Sequence, residues 1–253
     1  MRGRRDVGLE LVEVRPPGGK LSIGRLHAEL GKLFGIPRPG PLRTPLESLI
    51  LTVLSQNTND RNRDRAYEAL RARFPTWETV ARARPHEIAA AIRPGGLANV
   101  KSRRILEILR SLKARFGGYD LNFLCDLPPE DGASLLGEFP GVGPKTVSCV
   151  LLFGCGHPVF PVDTHILRIT KRLGYIPPNV SLEKAHRLLA AVVPAELRYP
   201  LHLNLIRFGR EICHAQTLKC AVCPLRRHCF YYAALTAPSG LGPSPDSSRA
   251  SRG

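Results

Sequence analysis

The stretch Leu135–Ile169 constrains this chain more than any other. It reads Leu-Leu-Gly-Glu-Phe-Pro-Gly-Val-Gly-Pro-Lys-Thr, passes through an apolar run, and reaches Phe-Pro-Val-Asp-Thr-His-Ile. Pro140, Gly141 and Gly143 set a tight turn between two apolar segments. Leu135 and Leu136 precede it, and Val147, Val150 and Leu151 follow at helical spacing. Glycine permits positive φ and removes side chains that would block a close approach. Pro144 suits the first position of a helix. The pattern predicts two helices joined by a turn. The backbone N–H groups of Gly141, Val142 and Gly143 then face one spot, together with the positive end of the second helix. Such a spot binds anions, phosphate first among them. Lys145 falls in the first turn of that helix, and Asp163 opens the next one.

The rest of the chain also reads as helices. Ser22 to Gly35 carries Ile23, Leu26, Leu30 and Leu33 on one face, and a Pro-rich linker follows. Thr44-Pro45-Leu46-Glu47 is a capping box with proline at the first helical position. The helix it starts presents Leu46, Leu49, Ile50, Val53 and Leu54, then ends in the polar run Ser55-Gln56-Asn57-Thr58-Asn59-Asp60. Asn59 or Asp60 caps the next helix, and Thr76 and Pro85 open two short ones. Pro94-Gly95-Gly96 is a turn with Leu97 at its tip, leading into a long amphipathic helix from Asn99 to Phe116. Further helices are expected at 128–154, 164–174, 182–192 and 195–211. Strand-like alternation is almost absent, so the chain is all-α with about ten helices. Residues 1–21 read as a loosely ordered basic segment. The Ser/Pro/Gly-rich tail 237–253 reads as disordered.

Charge and cysteines narrow the function. Lys and Arg number 37 against 21 Asp and Glu, a net +16, which points to a polyanion partner, nucleic acid first. No apolar run is long enough for a membrane helix, and no signal core follows the basic start, so a cytoplasmic protein is expected. Cys213, Cys220, Cys223 and Cys229 form Cys-x6-Cys-x2-Cys-x5-Cys, a set able to close around one metal centre. Four thiolates suit zinc or a [4Fe–4S] cluster, and spacing alone leaves both open. Lys219 and the Arg226-Arg227-His228 run offer phosphate contacts or a solvated basic surface. Cys125, Cys149 and Cys155 sit among apolar residues and are expected as separate core thiols. Asp163 suits a helix N-cap. Lys145 is either a phosphate-contacting lysine or a nucleophile, since the positive helix end favours the neutral amine that can attack.

Phe-Pro-Gly-Val-Gly-Pro-Lys-Thr, then Val-Asp-Thr-His, then the four cysteines, resembles in that order the endonuclease III family of helix-hairpin-helix DNA glycosylases. The resemblance runs from Ser22 to Tyr232. It implies two all-α lobes: a six-helix barrel over 42–155 with the helix-hairpin-helix at 128–154, and an iron–sulfur cluster lobe from 22–41 and 156–236. It implies a [4Fe–4S] cluster on Cys213, Cys220, Cys223 and Cys229. Lys145 becomes the nucleophile and Asp163 the carboxylate that activates it or stabilises the oxocarbenium-like state. Gln56 and Leu97 become the pair that fills the hole left by a flipped nucleotide, and His165 remains structural.

The function implied is base-excision repair: removal of oxidised or ring-saturated pyrimidines from duplex DNA, with strand cleavage by β-elimination through a lysine Schiff base. The protein would work as a monomer, associated with the nucleoid. A mismatch uracil/thymine glycosylase and a non-catalytic DNA-binding protein are the alternatives. Two departures bear on substrate. Asn57 stands where a small residue usually follows the glutamine, with Asn59 in place of an acidic residue, and Ala98 stands where an aromatic commonly follows Leu97.

Overall fold

The computed structural model of the protein describes residues 15–237. Within them the chain forms α1 (Ile23–Phe34), α2 (Pro45–Ser55), α3 (Asp60–Arg73), α4 (Trp77–Arg82), α5 (Pro85–Ala91), α6 (Ala98–Phe116), α7 (Pro129–Gly137), α8 (Pro144–Gly154), α9 (Thr164–Arg172), α10 (Leu182–Val192), α11 (Arg198–Glu211) and α12 (Phe230–Thr236). Short 3-10 turns lie between several of them, and the described residues hold no strand. The all-α reading therefore stands.

Local chemistry sets the helix starts. The Ser22 hydroxyl accepts from the Arg25 N–H, and Asn59 accepts from the Asn62 N–H. Thr44 and Glu47 close their reciprocal box. Each such cap is worth about 1 kcal/mol.

Two apolar cores organise the helices. The first runs through α2 to α8 and takes in Leu49, Ile50, Leu54, Leu70, Ile105, Leu109, Leu136 and Val150. α2 is its axis: Ser48, Leu51 and Thr52 are buried along with the predicted apolar face. A helix apolar on nearly all sides belongs inside. The buried Thr52 hydroxyl is satisfied by donating to the Ser48 carbonyl at 2.7 Å. The second core joins α1 to α9, α10 and α11 through Leu26, Leu30, Ile166, Ile169, Leu189, Leu205 and Phe208. The N-terminal helix thus packs on C-terminal ones, and the Asn204 amide ties them by donating to the Gly35 carbonyl at 2.9 Å.

Two expectations are corrected here. Residues 15–21 are not loose. Leu21 is buried, its carbonyl accepts from the Tyr175 hydroxyl at 2.9 Å, and the Gly18 N–H donates to the Arg227 carbonyl at 2.8 Å. A short basic stretch gives no sign of such long-range partners. Residues 1–14 and 238–253, where the remaining terminal expectations fall, lie outside the described residues. Cys125 and Cys155 are not separate thiols but a disulfide with Cα atoms 4.8 Å apart, well inside bridging range. Cys149 alone of the three stays a buried free thiol.

Candidate active site

The turn Pro140–Gly143 joins α7 to α8. Gly141 takes φ +70°, where a side chain is strained. Gly141 and Gly143 are exposed, and their N–H groups have no hydrogen-bond partner among the described residues. Val142 departs from the expected site. Its side chain is buried in the first core, and its N–H closes the turn by donating to the Phe139 carbonyl at 3.1 Å. The staple that holds the turn cannot also present that N–H to a phosphate.

Lys145 is half-buried in the first turn of α8. Asp163, also half-buried, caps α9 by accepting from the Ile166 N–H at 2.8 Å. Buried groups stand close to both. Burial pushes the Cys149 thiol up. The charge of Lys145 and a hydrogen bond with it oppose that shift, and the charge of Asp163 reinforces it. Burial pushes His202 down to about 4, while the Asp163 charge and the Pro161 carbonyl on its Nδ1, at 2.9 Å, pull the other way. Lys145 and Asp163 therefore act on the same two side chains from opposite signs of charge. An amine and a carboxylate thus lie near one another and near a histidine that burial holds toward its neutral form.

Sequence reasoning missed Asp60 in this neighbourhood. It donates nothing and accepts from Arg210 of α11 at 2.6 Å and from Arg63 at 3.0 Å, linking the two cores. Burial pushes its carboxyl up, but the Arg210 hydrogen bond and the charges of Arg63, Arg210 and Lys145 win, and the net shift is downward. In the sequence it reads only as a helix cap. His165 is structural, as expected: its ring packs against Gly209, where a Cβ would stand 2.7 Å from Nδ1, and burial pushes it down.

Gln56 and Leu97 stand at two neighbouring corners. Asn57 and Leu97 are the two non-glycine residues with positive φ among the described residues, at 52° and 48°. Asn tolerates that region, but a bulky leucine there costs about 1–2 kcal/mol. Leu97 is nevertheless 53% exposed, so burial does not hold it there. What fixes the corner is Lys101, one turn along α6 and only 2% exposed. Its ammonium donates to the Leu54 carbonyl at 2.7 Å and the Gly95 carbonyl at 2.8 Å, fastening the Leu97 turn to the end of α2. Burial without a carboxylate pushes this lysine down.

The four cysteines line one cavity of about 30 Å³ together with Ile212, Leu218 and Tyr231. They surround a space rather than meet at a point: among the described residues no three His, Cys, Asp or Glu side chains converge to hold a single ion. Burial pushes the Cys223 thiol up to about 11, and Cys213, Cys229 and Cys220 push the same way by their charges. Arg172 donates to the Cys213 sulfur at 3.2 Å, and Arg168 donates to the Cys213 carbonyl at 2.7 Å. Lys219 is exposed on this loop, its ammonium on the Glu211 carbonyl at 3.2 Å.

Comparison with known proteins bears directly on this site. Residues 50–195 match the model of the HhH-GPD superfamily base excision DNA repair proteins, a span that includes the turn, Lys145 and Asp163. The chain belongs to that family. Endonuclease III of Thermotoga maritima is 35% identical over 210 residues, which are 83% of this chain and 93% of that protein. An Arabidopsis thaliana relative is 42% identical over 165 residues, but the chain spans only 56% of its length. Among solved structures, a non-covalent endonuclease III–DNA complex superposes with TM-score 0.71 at 29% identity, covering 84% of this chain and 96% of that one. A trapped endonuclease III–DNA covalent intermediate does so equally well, with TM-score 0.71. A thermostable thymine-DNA glycosylase shares the fold at 22% identity and TM-score 0.69. Family members are thus repair proteins, and the present chain is endonuclease III-like along most of its length.

Proposed function

We propose that the protein is a DNA glycosylase with AP lyase activity that removes oxidised or ring-saturated pyrimidines from duplex DNA. The observation that carries this reading is the amine of Lys145 and the carboxylate of Asp163 acting on common neighbours beside a turn with free N–H groups. The turn and the α8 N-terminus would hold a backbone phosphate. Leu97 and Gln56 would fill the stack once the damaged nucleotide leaves it. Asp163 would stabilise positive charge as it grows on the sugar. The Lys145 amine would then attack C1′, the base leaving with the bonding pair and taking up one amine proton; the C1′–O4′ bond then breaks, O4′ taking up a proton, and leaves a protonated imine at C1′. Loss of a C2′ proton from the resulting iminium expels the 3′ phosphate. Covalent trapping of a structurally similar endonuclease III on DNA supports this chemistry.

The test is borohydride reduction on an abasic duplex. Wild type should yield a covalent adduct and Lys145→Ala none; an undiminished adduct in the variant removes Lys145 from the mechanism. Single-turnover excision of dihydrouracil or thymine glycol should outpace that of uracil or thymine opposite guanine. The reverse order makes the protein a mismatch glycosylase.

The cysteine loop fits a [4Fe–4S] cluster. The four thiols line one cavity, as the four-cysteine ligand set of such a cluster requires. Cys213, Cys220, Cys223 and Cys229 would hold it, Arg172 would offset the negative charge at Cys213, and the bound cluster would lock the loop against α9. Purified protein should be brown with about four irons per chain. Serine at any of the four cysteines should lower iron content and solubility, and one zinc in colourless protein overturns the assignment. The division into a lobe of 42–155 and a lobe of 22–41 with 156–236 is likewise proposed, on the strength of the two separate cores.

A further inference from the structure

Arg104 has no counterpart in the chemistry described so far. It lies on α6 one turn beyond Lys101, half-buried, with no carboxylate in salt-bridge range among the described residues. Its Nη1 donates to Oε1 of Gln56 at 2.8 Å. Its guanidinium also lies against the helix-hairpin-helix turn: a Cβ built on Gly141 would stand 2.7 Å from the Arg104 Cζ. The positive φ favours glycine here, and a side chain at this position would also displace the Arg104 guanidinium. One side chain touches both the phosphate-binding turn and the residue read above as filling the vacated stack.

The chemistry of that contact is one-sided. Guanidinium has five donors and no acceptor, so the atom of Gln56 that meets it must be the oxygen. The Gln56 side chain is then fixed about its last torsion, with the NH₂ directed away from Arg104. A glutamine free to rotate offers either a donor or an acceptor. One held this way offers donors only.

We infer that Arg104 is a positioning residue that makes Gln56 a hydrogen-bond donor toward the base left unpaired opposite the lesion. The inference rests on the reading of Gln56 as the residue that enters the stack. Its consequence is specificity. Adenine and cytosine present a ring-nitrogen acceptor at the centre of the Watson–Crick edge, and guanine and thymine present an N–H there. A donor-only glutamine matches the central ring nitrogen of the first two, whereas against guanine and thymine it meets a ring N–H there and finds an acceptor only in the flanking carbonyl oxygens.

The test uses a tetrahydrofuran abasic analogue, so no particular lesion is assumed. Duplexes carry it opposite adenine, cytosine, guanine, thymine or a second abasic residue, and affinity is read by fluorescence anisotropy. Wild type should bind the adenine and cytosine duplexes at least about fivefold tighter than the guanine and thymine ones, the worth of one net hydrogen bond. In Arg104→Met the four affinities should converge on one another, because the released amide can turn to suit any base. Gln56→Ala should erase the same spread. A uniform loss on all five duplexes in Arg104→Met would make Arg104 a phosphate contact and overturn the inference. So would a wild type with no spread, or one that prefers guanine and thymine. If Gln56→Ala keeps the wild-type spread, the reading of Gln56 itself fails. If Gln56→Ala erases it and Arg104→Met does not, that reading stands and only the role of Arg104 falls.

Discussion

Asp163 illustrates how one residue serves two ends. As the α9 N-cap it satisfies a backbone donor, and the same geometry holds its carboxylate in place within reach of Cys149 and His202. Asparagine keeps the cap and removes the charge. Asp163→Asn should therefore fold and bind DNA as wild type does, yet lose about 10²-fold or more in single-turnover base excision. A wild-type rate would leave Asp163 a cap alone. The cap was legible in the sequence, because an acid before a helical run signals one, and the chemical role is proposed from the motif around it. Lys101 shows the opposite case. Among six basic residues on α6 it reads as one more solvated charge, yet it is buried on two carbonyls that lie 47 and 6 residues away. Partners that distant along the chain leave no local pattern.

Among the elements, α2 and α8 fit most closely. α8 carries Lys145 at its first turn and Gly154 at its end, and a Cβ on Gly154 would stand 2.8 Å from the Pro45 Cα of α2. Two effects oppose each other in Gly154→Ala. Alanine raises helix propensity by up to about 1 kcal/mol, less at a helix end. Overpacking against backbone, which cannot swing aside, costs about 1–3 kcal/mol. The second should win, so thermal denaturation of Gly154→Ala should show a lower Tm than wild type; an unchanged or higher Tm would mean that the two helices part without penalty. α9 links Asp163 to the cysteine loop in the same mechanical way. Asp163 caps its start, while Arg168 and Arg172 near its end hold the backbone around Cys213 and His214. The position of the carboxylate and the order of the cysteine loop are set by one rigid rod.

At the scale of the molecule, burial holds three histidines toward their neutral form. His202 is pushed from 6.5 down to about 4, and His186 and His165 move the same way. Above pH 6.5 His202 is neutral in both the folded and the unfolded chain. As pH falls from 6.5 towards 4 only the unfolded chain takes up the proton, so folding stability drops, by up to about 3 kcal/mol from this residue. Denaturant unfolding across that interval should show the decline, and His202→Gln should flatten it. An equal slope in the variant would assign the effect to other groups. The two cores are joined in this region by the Asp60–Arg210 pair, where α3 meets α11.

The sequence by itself determined the helices, their caps, the glycine turn and the order of its motifs, because each depends on residues within a turn or two of one another. It also disclosed the family, since the turn, the acid and the four cysteines follow in a fixed order. The tertiary structure decided what local spacing cannot encode. It buried α2 on all sides, turned Val142 inward, paired Cys125 with Cys155 across 30 residues, and set Arg104 between Gln56 and Gly141. Those outcomes depend on which helices pack together. Periodicity shows that a face must be covered, and only the packed chain selects what covers it.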